Sequence, residues 1–105
     1  STIGYKAEVF IAQLGEMGRK KALGLYEEFR AASIPVSEAF SKSNIKQQME
    51  IANRHGSKWV VVIGQKEVLD GTAIIRDMEA GSQEIVDGKK VVYEIKKKLG
   101  RVNGE

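Results

Sequence analysis

Two clusters of polar side chains give this chain its best chance of doing chemistry. Phe40, Lys42, Asn44, Lys46 and Gln47 gather where a short strand gives way to a helix, and Gln65, Lys66 and Glu67 follow a run of apolar residues. A further arginine, Arg76, sits inside the next apolar segment. Together they offer a ring that can stack, amides and a carboxylate that can read hydrogen-bonding edges, and cations that can bind phosphate. This combination suits unstacked nucleotides better than bond-making. Read more plainly, Lys42 and Lys46 are surface residues and Phe40 belongs to the core. No catalytic set competes. The chain has no cysteine and one histidine, His55, which excludes thiolate chemistry and leaves a triad or a histidine-ligated metal without partners. The carboxylates Glu27, Glu28, Glu67, Asp70, Asp77 and Glu79 show no spacing that pairs two of them in one pocket. No catalytic residue and no metal ligand is therefore expected.

Gly15-Glu-Met-Gly-Arg-Lys-Lys21 lies between a strand and a helix, where a phosphate could sit. It lacks the spacing of a P-loop or a dinucleotide fingerprint and reads as a structural turn. The Lys96–Lys98 run reads as a solvated helix end, with His55 as a cation favoured by the helix dipole near the end of its own helix.

The elements that must position these residues follow from periodicity. Ala7–Leu14 is a strand rich in β-branched and aromatic residues. Gly18, Ala22, Leu25, Phe29 and Ala32 make one stripe of a helix over Glu16–Ala32, which Ser33-Ile34-Pro35 ends. Val36–Phe40 is a second strand. Ser43 or Asn44 caps the next helix, whose inward stripe is Ile45, Met49 and Ala52, and Gly56 stops it. Lys58–Ile63 is a strand covered on both faces, and Gly64–Asp70 is a helical turn. Thr72–Met78 and Gln83–Val86 are strands joined at Glu79–Ser82, and Lys89–Leu99 is a final helix. Helical crossovers make the first three strands parallel, and the short link before the fourth makes it antiparallel. The result is an α/β domain with three layers, α/β/α, over residues 1–105. Its core runs from about 7 to 99, with a frayed tail from 100 to 105.

The chain has 105 residues, 42% hydrophobic and 30% charged, with a formal net charge of +3. That is enough for one domain with a real core, and the mild positive balance suits a polyanion without requiring one. No apolar run approaches the ~20 residues of a membrane-spanning helix, and the absence of disulfides fits a reducing, cytoplasmic setting. A start without methionine suggests a piece of a longer chain.

With these residues set out, the sequence resembles the C-terminal anticodon-binding domain of class II aminoacyl-tRNA synthetases, most of all the histidyl-tRNA synthetases. The likeness covers about Ala7 to Leu99. It is carried by Glu8-Val-Phe-Ile-Ala-Gln-Leu-Gly15, Ala22-Leu-Gly-Leu-Tyr-Glu-Glu-Phe-Arg-Ala31, Ser43-Asn-Ile-Lys-Gln-Gln-Met-Glu-Ile-Ala52, Ile63-Gly-Gln-Lys-Glu67 and Asp77-Met-Glu-Ala-Gly-Ser-Gln83. The resemblance implies a mixed five-stranded sheet of order 2-1-3-4-5 with strand 4 antiparallel. It implies a tRNA partner gripped at the anticodon loop, that of tRNA-His, with no DNA or membrane partner. By resemblance, Glu67 and Arg76 match positions that contact anticodon bases, and Lys46, Gln47 and Gln65 match further positions facing the anticodon. ATP, magnesium and aminoacylation would belong to a catalytic domain elsewhere in a homodimeric parent, and no cofactor is expected here. Relatives usually place glycine where this chain has Ser33. Arg76 lies about 13 Å along its strand from Thr72, so a site shared with Glu67 depends on the fold. The competing expectations are a synthetase-derived regulatory or interaction module without anticodon specificity, and a small independent enzyme or nucleotide-binding α/β domain.

Overall fold

Alternation along the central strands divides the molecule. In the computed structural model, which describes residues 7–102, β1 (Val9–Gln13) is buried throughout. Val9 and Ile11 join one apolar cluster, and Phe10 and Ala12 join another on the opposite face. Sheet faces alternate with period two, so a strand buried along its whole length needs helices on both sides. The first cluster is closed by α1 (Gly15–Ala31) and α4 (Val91–Lys98), the second by α2 (Ile45–Arg54) alone. β2 (Val36–Glu38), β3 (Trp59–Ile63), α3 (Gln65–Asp70), β4 (Thr72–Asp77) and β5 (Gln83–Asp87) complete the three layers.

The sheet has the order β2-β1-β3-β4-β5, with β1 parallel to β2 and β3, and β4 antiparallel to β3 and β5. This is the expected topology. The stripe Gly18, Ala22, Leu25 and Phe29 is buried as its spacing requires.

Some boundaries move for physical reasons. β2 stops at Glu38, two residues short of the expected Phe40, because the Glu38 carboxylate takes the Phe40 N–H and the Lys42 N–H turns back onto Ala39. Val62 is only half buried, so β3 is not covered on both faces along its full length; α2 covers it only in part. Gly100 and Arg101, at the start of the expected tail, are hydrogen-bonded to α4. Gly100 has φ 70°, its N–H bonds to Lys97 and that of Arg101 bonds to Lys96, which closes α4 in a Schellman motif. Residues 103–105 of the expected tail, like residues 1–6, lie outside the described residues.

The same motif closes α1, but with serine in the glycine position. Ser33 has φ 59°, its N–H bonds to Arg30, and the Ile34 N–H bonds to Phe29. A side chain in this left-handed region costs about 1–2 kcal/mol, partly recovered because glycine is more flexible when unfolded. Ser33→Gly is therefore expected to stabilise the domain by about 0.5–1 kcal/mol, read as a higher midpoint in urea at unchanged m-value.

Candidate nucleic-acid interface

Because one helix cannot cover five strands, the α2 side of the sheet is open over β4 and β5. Ile85 is 73% exposed there. Between α2 and this open part runs a groove of about 560 Å³, floored by Met49, Val62, Ile74 and Met78, with Lys46 and Arg76 at its rim. Glu50 also lines it. Arg76 donates from Nη1 to Gln83 Oε1 at 3.3 Å across the β4–β5 pair. Among the described residues neither Arg76 nor Lys46 has a carboxylate within ion-pair distance. The groove thus combines an apolar floor with two cations that make no ion pair among the described residues and one carboxylate, Glu50.

The other expected site residues lie elsewhere. Gln65 and Glu67 are on α3, beyond the end of β3, whereas Arg76 is opposite Val60 near its start. Three residues of strand separate these levels, about 10 Å, and Glu67 does not line the groove. Its carboxylate is also engaged locally. Oε1 accepts the Gly64 N–H at 2.8 Å, satisfying an orphan amide at the start of α3. Lys66 is paired with Asp70 at 2.7 Å, and that hydrogen bond and charge hold its ammonium above the ordinary lysine pKa.

Asn44 is the N-cap of α2. Its Oδ1 accepts the Gln47 N–H at 3.0 Å, so the side chain is occupied in the way its place before a helix suggests. Lys42 and Gln47 are exposed on the other flank of α2, with Arg54, around a cleft of about 170 Å³. Phe40 is half buried, edge-on to Tyr26 at 5.9 Å between ring centroids, and its carbonyl accepts a short bond from Arg19 Nη1. It packs against the α1-side cluster and not the groove.

A buried pair outside the expected set fixes α2 in place. β2 ends before it can pair with Gln13, and the Gln48 carboxamide takes over as a stand-in peptide. Gln48 Oε1 accepts the Gln13 N–H at 2.9 Å, and Nε2 donates to the Gln13 carbonyl at 2.8 Å. Gln48 is completely buried.

Against this geometry the comparisons with known proteins are decisive for the family. Residues 8–98 match the family model described as an anticodon binding domain. The chain belongs to that family. It is 31% identical over 91 residues to the histidine–tRNA ligase of Dehalococcoides mccartyi (strain ATCC BAA-2266 / KCTC 15142 / 195), covering 87% of this chain and 22% of that one. It is 34% identical over 92 residues to the ligase of Pelotomaculum thermopropionicum, covering 88% and 22%. The apo histidyl-tRNA synthetase structure from S. aureus superposes with a TM-score of 0.80 at 26% identity, over 90% of this chain and 28% of that one. The chain thus spans about a fifth of the length of these curated relatives.

Within the anticodon-binding domain, what sequence reading missed had a visible signal. Gln48 falls on the inward stripe between Ile45 and Ala52, where a polar residue must find a buried partner. Met49 and Met78 read from sequence as core and strand residues, yet they floor the groove. Glu67, three residues after Gly64, stands at a capping position. Glu67→Ala should cost about 1 kcal/mol of stability by orphaning the Gly64 amide, measured by chemical denaturation; an unchanged midpoint would release the carboxylate from this role.

Proposed function

We propose that this chain is the tRNA anticodon-binding domain of a histidine–tRNA ligase, contributing recognition of the tRNA-His anticodon loop and no catalysis. ATP, magnesium and amino-acid activation are assigned to the remainder of a cytoplasmic, homodimeric parent. The observation that carries this reading is the groove beside α2. Unstacked bases can bury their faces on Met49, Val62, Ile74 and Met78, and thioethers contact aromatic rings favourably. Lys46 and Arg76 stand where phosphates or base acceptors would pass. Family membership and the likeness to histidine–tRNA ligases support the same reading.

The test is a titration of this chain with the tRNA-His anticodon stem-loop and with one of altered anticodon, each at two salt concentrations. Binding should weaken with salt, and each phosphate contact contributes about one unit to the slope. Arg76→Ala should weaken binding of the cognate loop by about 5- to 150-fold, the 1–3 kcal/mol of a lost arginine–base contact, and narrow the discrimination between loops. A variant that binds and discriminates like the wild type would move the RNA away from the groove. Equal affinity for every loop would favour the alternative, an interaction module that keeps the fold without anticodon specificity.

A further inference from the structure

We propose that Gln13 is a positioning residue for a phosphate contact made by Lys42, an inference that rests on the RNA-binding reading above. Gln13 closes β1 and is only 2% exposed. Its main chain is already satisfied by Gln48, so its own carboxamide is free for another partner. It donates from Nε2 to the Lys42 carbonyl at 2.8 Å. On the other side of the same residue, the Lys42 N–H bonds to Ala39 at 2.9 Å. The loop between β2 and α2 is thus pinned at Lys42 from both sides.

The Lys42 side chain, in contrast, is exposed and has no ion pair among the described residues. Several other lysines are engaged: Lys58 with Glu79, Lys66 with Asp70 and Lys98 with Glu84. An apolar residue of glutamine's size would fill the end of β1 without burying a polar group. A buried donor there is accounted for by what it holds, which is the backbone of a cation left free to meet an anion. An ammonium whose backbone is fixed loses less freedom on binding a phosphate. The ligand class is the ribose–phosphate backbone of RNA running along α2, where Lys42 shares a cleft with Gln47 near the start of the helix and Arg54 at its end, with the Glu50 carboxylate between them.

A double-mutant cycle with the full 105-residue chain and the cognate anticodon stem-loop tests this. Lys42→Ala should weaken binding about fivefold and flatten the dependence of log K on log salt by about one unit. Gln13→Met should do the same at temperatures where circular dichroism shows it fully folded, with Gln13→Leu as the second variant should the first not fold. The double variant should bind no worse than either single one. A purely structural role would lower the melting temperature and leave affinity and salt slope unchanged, which overturns the proposal. So do additive losses, or a wild-type slope for Lys42→Ala. If Arg76→Ala weakens binding while Lys42→Ala and Gln13→Met do not, the RNA-binding reading stands and this inference falls. If the wild type binds no stem-loop, both fall.

Discussion

Gln48→Met is expected to destabilise the domain by about 2–4 kcal/mol, close to the loss of a whole buried network. Methionine nearly matches glutamine in shape, so little cavity opens. What disappears is the partner for both the N–H and the carbonyl of Gln13, at 2.9 and 2.8 Å. Each buried group left unsatisfied costs about 1–3 kcal/mol. A loss of about 3 kcal/mol lowers the melting temperature of a domain this size by roughly 12–24 °C. Gln47→Met, one position along and exposed, should change stability by less than about 0.5 kcal/mol. Equal midpoints for the two variants in a thermal melt would refute the stand-in-peptide role.

The second large effect is a reversal of sign between two glycines of one helix. Within α1, a Cβ on Gly18 would overlap the Ile63 carbonyl oxygen and lie 3.1 Å from Gly64 Cα, whereas one on Gly24 meets nothing within 4 Å. Both substitutions gain about 1 kcal/mol of helix propensity. For Gly18→Ala the obstacle is backbone, which cannot rotate aside, and overpacking costs about 1–3 kcal/mol or more. We expect Gly18→Ala to lose about 2 kcal/mol net and Gly24→Ala to gain up to about 1 kcal/mol. Urea denaturation of both variants decides it. Stabilisation by Gly18→Ala would mean that α1 does not press on the end of β3 as described.

The architecture was legible because its signals are local and periodic. Gly18, Ala22, Leu25 and Phe29 mark the inner side of α1 by spacing alone. Connection lengths set which strands run parallel, and the order 2-1-3-4-5 implied by the family resemblance is the one found. The site was less legible because sequence shows a polar side chain without showing what it is already bonded to. Asn44 was both a helix cap and a candidate contact, and the structure shows the cap occupied. Glu67 and Arg76 are near in sequence, but an antiparallel β4 carries Arg76 back towards the start of β3 while Glu67 stays beyond its end. The groove itself could not be foreseen from periodicity, since it arises from a helix that is missing over β4 and β5 and not from any residue that is present.

The single tryptophan sits on the other face. Trp59 packs against the α1–α4 cluster, with the Lys98 ammonium 5.0 Å and that of Lys58 5.6 Å from its ring. Lys98 is itself held by Glu84 at 2.5 Å. The indole is therefore a built-in optical reporter of whether the last helix stays docked, and its emission should shift when α4 peels away. It has a full sheet between it and the groove, so a ligand arriving there should leave its fluorescence nearly silent.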